Sequence, residues 1–173
     1  MKNELETYHE LIVPLRVNQP KLYEHYSDEA MSLFIMEDVG GETLESYPDK
    51  ERFLEAAREL ARMKILSLER IQELKIGVRQ KYMVNQEDML HQLIELQQEK
   101  RLTIAQKSIV AHVVETFAID LKRLYSKFPI SLCHNDYFAK NIVVREKDVA
   151  IIDWALSRLS PDIGDLYCLK KRV

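Results

Sequence analysis

The chain of 173 residues is 46% hydrophobic and 31% charged, a balance that supports a packed core and excludes a disordered, solvating chain. Lys and Arg total 25 against 28 Asp and Glu, and the net charge of -3 argues against an electrostatic nucleic-acid binder. The only glycines are Gly40, Gly41, Gly77 and Gly164, with no G-x-G among them. A Walker A loop, a dinucleotide fingerprint and a glycine-rich phosphate loop each need several closely spaced glycines, so none is encoded here.

Cys133 and Cys168 stand far apart, which excludes a disulfide framework and a cysteine-rich zinc site. No apolar run reaches membrane-span length, and the opening MKNELETYHEL is charged where a leader would be apolar. A reducing cytoplasm without membrane contact is the expected location. Residues 3–11 predict a helix, capped by Asn3, with Leu5, Tyr8 and Leu11 at helical spacing. A turn-rich stretch through Pro14 and Pro20 follows. Lys21–Tyr26 predicts a strand, Asp28–Ala30 a hairpin turn, and Ser32–Met36 a buried strand. Asp49 predicts a cap for a helix over 50–66, with Phe53, Ala57, Leu60 and Lys64 on one face. Residues 69–83 are ambiguous. Helices follow over 86–98, with Met89, Leu93 and Leu96 aligned, and over 104–125. The second is the strongest in the chain, with Ile109, Val113, Phe117, Leu121 and Leu124 recurring at threes and fours. Ile142–Val144 and Val149–Ile152, separated by REKD, predict a small hairpin. Asp162 is placed to cap a last helix.

The chemistry-bearing stretch is Cys133–Trp154. A tight loop holds Asp136, and Asn141 follows where the chain enters a strand. The partner strand delivers Asp153 beside Asn141. Two side-chain oxygens on adjacent strand ends suit a hard divalent cation such as Mg²⁺, which takes few protein ligands beside phosphate oxygens. The separate Asp136 can accept a proton from an attacking hydroxyl. Base, metal ligands and triphosphate together describe phosphoryl transfer. A metal-dependent hydrolase on His134 and Asp136 would need further ligands, and His9, His25, His91 and His112 have no ligand-like spacing to this loop.

His134–Asn141 resembles the H-x-D-x-x-x-x-N catalytic loop of the protein-kinase-like superfamily, and I-I-D-W at 151–154 resembles its metal-binding aspartate segment. Trp154-Ala155 in place of Phe-Gly is similar to the small-molecule branch, the aminoglycoside phosphotransferase and choline kinase family. Ala139 and Lys140 depart from the Pro-Gly usual there. LFIMEDVGG at 33–41 resembles the family's hinge strand, and Asp165-Leu166 resembles the pair that opens a helix beneath the catalytic loop. ELARMKILSL at 59–68 resembles a helix that often ends in Leu-His, with Lys64 where the histidine would be.

The resemblance, from about residue 4 to 169, implies an α+β, protein-kinase-like fold. Residues 1–41 would be a partial N-lobe and hinge, and 42–173 an incomplete, mostly helical C-lobe with a catalytic-loop hairpin. It implies ATP and Mg²⁺, and γ-phosphate transfer to a hydroxyl of a small substrate. Asp136 would be the base and Asn141 and Asp153 the metal ligands. Met36, Glu37, Asp38 and Val39 would meet adenine at the hinge, over a floor of Val143 and Ile152. His134 and Asp165 would support the loop by bonding its backbone. Cys133 is expected as a small buried hydrophobe, and Trp154 as packing rather than a substrate platform. Family members carry a glycine hairpin and a phosphate-gripping strand lysine ahead of the first matched helix. Without that lysine, Glu4 is expected as a solvated helix glutamate. The expectation is therefore an impaired fragment of a kinase; the alternative is a non-catalytic remnant that binds a nucleotide or a protein.

Overall fold

The computed structural model describes residues 2–28, 31–146, 148–161 and 164–170. Helix α1 is continuous through three segments: Lys2–Thr7, a π-helical Tyr8–Ile12, and Val13–Leu15. Pro14 explains the wide middle turn. It has no N–H to return to the carbonyl four residues back, and the Val13 amide instead donates to the Tyr8 carbonyl, five residues back. The helix therefore outlasts its expected end at Leu11, and Asn3 lies inside it rather than at its cap. Arg16 stops it in the left-handed region at φ 55°.

Strands β1 (Leu22–Ser27) and β2 (Ser32–Met36) form an antiparallel ribbon with an irregularity between Leu22 and Glu24. Asp28 closes its end by accepting from the Met31 amide at 2.8 Å, while Glu29 and Ala30 of the expected turn lie outside the described residues. The ribbon corrects one expectation. Leu33 and Ile35 are each 52% exposed, because among the described residues β1 is the one strand beside β2 and nothing covers that face.

Helix α2 (Lys50–Arg70) begins where Asp49 accepts from the Arg52 amide at 3.1 Å. It runs four residues past its expected end. Its fully buried stripe includes Ala56, Leu60, Met63 and Ser67; the expected Phe53 and Ala57 flank it. The ambiguous region holds a 3₁₀ turn at Ile71–Glu73 and α3 (Ile76–Tyr82). Helices α4 (Gln86–Gln98) and α5 (Ile104–Lys127) pack on each other. A reciprocal Thr103–Gln106 capping box starts α5. The strong α5 periodicity does not buy burial: Leu121 alone is buried there, and Ile109 is 65% exposed.

Strand β3 (Ser131–Cys133) pairs antiparallel with β6 (Arg158–Ser160), which the sequence did not signal, and β4 (Ile142–Val144) with β5 (Val149–Ile151). Ser67 ties α2 to β3 by accepting from the Leu132 amide at 2.9 Å. Helix α6 (Gly164–Lys170) closes the described chain, while Asp162, its expected cap, lies outside the described residues. The core gathers Leu11, Ile12 and Leu15 with Leu44, Met63, Leu132, Ile142, Ile151, Trp154 and Leu159. It lies directly beneath the 134–154 loops.

Candidate active site

The loop after β3 is held from below by one carboxylate. Asp165, on α6 and 1% exposed, accepts from the His134 amide at 2.9 Å and the Asn135 amide at 2.8 Å, one on each oxygen. Consecutive amides can converge this way because Asn135 sits at φ 65°, a left-handed turn that asparagine tolerates well. Its own side chain donates to the Leu156 carbonyl at 2.9 Å. Lys64 supplies the charge that such a buried carboxylate needs, with Nζ 3.1 Å from Asp165 and 3.0 Å from Cys133 Sγ. Burial works against the Lys64 ammonium, but Asp165 and then Cys133 outweigh it and hold its pKa above the ordinary lysine value. This counterion role of Lys64 was not legible in the sequence, where the only signal was a lysine in place of a histidine.

His134 is fully buried, edge-on to Trp154 with ring centroids 4.7 Å apart. Its Nδ1 accepts from the Asp136 amide at 3.3 Å, which places the ring proton on Nε2. From there it is donated to the Ile152 carbonyl, 3.0 Å away. Burial pushes its pKa below the ordinary imidazole value, so the ring is neutral at pH 7. With both nitrogens on the backbone, His134 offers no ligand to a metal hydrolase. Trp154 is buried too and donates to the Ile151 carbonyl at 3.0 Å.

Asp136 carries its carboxylate at the rim, its side chain 17% exposed. Oδ2 accepts from Asn141 Nδ2 at 2.7 Å and lies 2.9 Å from Lys140 Nζ. The same Asn141 amide also donates to the Asp136 carbonyl at 2.9 Å. These bonds engage Oδ2 of Asp136 and the amide nitrogen of Asn141, and leave the Asn141 Oδ1 out of the pairing. A 3₁₀ turn over Ala139–Asn141 delivers Asn141 into β4. Across the ribbon the Ile152 amide donates to the Asn141 carbonyl at 3.0 Å, which brings Asp153 to the same end. Asp153 is exposed, in the left-handed region at φ 63°. The structure therefore joins Asp136 to Asn141 directly, and Asn141 to the Asp153 segment through one backbone bond. An amide oxygen and a carboxylate on adjoining strand ends form an all-oxygen donor set, which fits Mg²⁺ with phosphate and water completing its shell.

The register places Val143, Ala150 and Ile152 on the ribbon face opposite Ile142, Val149 and Ile151, which belong to the core. Val143 is buried and bridged to Thr43; Ile152 is half-buried. At the hinge, Met36 ends β2 half-buried. The Glu37 amide donates to the Lys21 carbonyl at 2.8 Å, and its carboxylate accepts from the Lys21 amide at 3.0 Å. Asp38 accepts from the Gly40 amide at 2.9 Å, a turn that Gly40 allows at φ 89°. Val39 is half-buried against a cavity shared with Val144 and Arg145.

Glu4 departs from expectation. It is half-buried rather than solvated, and burial followed by the charge of Asp153 pushes its pKa up. The buried Tyr8 and Leu11 anchor α1 against the core, and the helix thereby holds Glu4 within reach of the Asp153 field.

A family model described as "Phosphotransferase enzyme family" matches residues 3–171. No curated protein matches. Among solved structures, the chain is similar to ADP-bound aminoglycoside phosphotransferase APH(2'')-Ib, with 25% identity and a TM-score of 0.63, covering 97% of this chain and 58% of that one. It is similar in fold to the streptomycin-ATP-APH(2'')-IIa ternary complex, with 23% identity, a TM-score of 0.65, and 97% and 58% coverage. It is similar in fold to the GDP complex of aminoglycoside 2'-phosphotransferase-IIIa, with 15% identity, a TM-score of 0.65, and 96% and 59% coverage. The chain thus spans under three-fifths of these structures' lengths, and its mixed helix and strand architecture is part of their kinase-like fold. The chain belongs to the phosphotransferase enzyme family.

Proposed function

We propose that this chain carries the catalytic loop and metal-binding segment of an ATP- and Mg²⁺-dependent small-molecule kinase of the cytoplasm. The observation that carries the reading is the Asp136–Asn141 contact at 2.7 Å, at the end of the ribbon that also presents Asp153. Asp136 Oδ1 faces the acceptor hydroxyl and takes its proton as the hydroxyl oxygen bonds to the γ-phosphorus. The bond from that phosphorus to the ADP oxygen breaks in line. Asn141 holds Asp136 by donating from its amide to both the carboxylate Oδ2 and the backbone carbonyl, so the base needs little reorganisation. Asn141 Oδ1 and the Asp153 carboxylate would hold Mg²⁺, which neutralises phosphate charge when bound. Adenine would lie on Val143 and Ile152 and meet the backbone of Met36–Val39. The acceptor is a small hydroxylated molecule; neither a membrane nor a nucleic acid is its partner.

Glu4 and Asp153 favour a second reading beside the first. Burial and then the negative charge of Asp153 raise the Glu4 pKa against the pull of the N-terminal amine. In that reading the chain is a non-catalytic kinase-like module that binds a nucleotide or a protein without transferring phosphate. Asp136→Ala separates the two readings. For a working enzyme, kcat falls about 10²–10⁴-fold in a coupled ADP-release assay while Mg-ATP affinity holds within a few fold. Unchanged turnover removes Asp136 from the mechanism. If the wild-type chain binds Mg-ATP without turnover, the second reading stands.

A further inference from the structure

Away from this loop, two imidazoles from different elements meet. His9, in the π-helical turn of α1, places Nε2 3.1 Å from Nδ1 of His25 on β1. The ring centroids are 4.2 Å apart and the planes 58° from each other. Both side chains are exposed beside a surface cavity of about 400 Å³, whose lining includes Glu6, Glu10 and Tyr26 and no lysine or arginine. We propose that His9 and His25 form a binding site for a divalent transition-metal ion of the zinc or nickel class, clamping α1 to β1.

The spacing carries the argument. Two nitrogens each at the usual 2.0–2.1 Å from a tetrahedral ion lie roughly 3.3 Å apart, so the observed pair needs only a few tenths of an ångström and a ring rotation. Borderline cations prefer imidazole, whereas Mg²⁺ and Ca²⁺ prefer oxygen, which sets the class of ion. Partial burial, then the neighbouring His25, holds the His9 pKa below the ordinary imidazole value, so its lone pair is available at pH 7. A hydrogen bond between the two rings places one proton on a facing nitrogen. Metal binding moves that proton to the far nitrogen of the same ring, and both facing lone pairs then point at the ion. Glu6 and Glu10 add negative potential, although Lys81 engages both, at 3.0 and 2.6 Å. Among the described residues no group of three His, Cys, Asp or Glu side chains is arranged to hold a metal. Two imidazoles are thus the protein ligands, and water fills the remaining positions. His9 follows Glu4 by five residues on α1, so an occupied clamp would fix the helix that aims Glu4 at Asp153.

The test is a Zn²⁺ titration, repeated with Ni²⁺, of the full 173-residue chain in a non-chelating buffer at pH 7.5. Heat is read by calorimetry and imidazole ¹⁵N shifts by NMR. One equivalent is expected to bind, with the first shift changes at His9 Nε2 and His25 Nδ1. His9→Gln and His25→Gln should each weaken binding at least about tenfold, while His91→Gln leaves it unchanged. Equal affinity in the wild type and the His9→Gln/His25→Gln double variant overturns the proposal. So does an absence of binding, or a first shift at another histidine. The wild-type ¹⁵N shifts decide the matter even if a variant fails to fold.

Discussion

Asp165 has three tasks at once: it accepts two loop amides and neutralises Lys64. Removing it leaves a mostly buried ammonium without its carboxylate and two amides without acceptors. Asp165→Ala should therefore lower the unfolding free energy by about 3–5 kcal/mol in urea melts at pH 7, and a loss under about 1 kcal/mol would remove the anchor role. His134 contributes to the acid limb of stability. Its folded pKa lies below the ordinary 6.5 because burial disfavours the imidazolium. Its contribution is complete above 6.5 and is lost as pH falls from there to the folded pKa, since the unfolded chain takes up the proton first. Urea melts between pH 7.5 and 5 should show that decline, and His134→Asn should flatten part of it. At this scale the sequence disclosed the residues of the proposed site: Asp136, Asn141 and Asp153 stand in the order that the structure draws to one end of the β4–β5 ribbon. It did not disclose Lys64. An ammonium 101 residues from its carboxylate in the chain has no local signature, and the pairing exists only once α2 and α6 pack.

The elements that the sequence announced most clearly are those whose own chemistry starts them. Asp49 caps α2, and the Arg145 amide closes the β4–β5 ribbon by donating to the Asp148 carbonyl. Elements decided by distant partners were silent: β6 is three residues long and exists because β3 pairs with it. Periodicity also misled in one place. The apolar spacing along α5 suits a buried stripe, yet Ile109 and Val113 stay exposed and Leu121 alone is buried, with α4 the main element packed alongside among the described residues. A helix with so little burial leans on its ends. Thr103→Ala breaks the capping box and should cost about 1 kcal/mol of local stability, read as faster hydrogen exchange in the first turns of α5. Unaltered exchange there would show that contacts with α4 suffice without the cap.

Burial is uneven across the whole molecule. Leu132, Ile142, Ile151, Trp154 and Leu159 surround the loops in a dry core, whereas α4 contributes no buried residue and α5 contributes Leu121. Opening should follow that gradient. Amides of 86–127 are expected to exchange through a low-energy opening, and those of β3, β4 and β5 only through global unfolding. Uniform protection across both regions would contradict this ordering. The kinase-like arrangement as a whole was legible because the 134–141 loop and the β4–β5 ribbon are contiguous in sequence, while the course of α1 past Pro14 was not. The clamp beneath the loop has one more consequence, for biosynthesis. His134 and Asn135 reach the ribosomal exit some thirty residues before Asp165 does. A nascent chain arrested near residue 160 already holds Asp136, Asn141 and Asp153, yet lacks the carboxylate that sets the loop backbone, so the loop can settle only after residue 165 has been made.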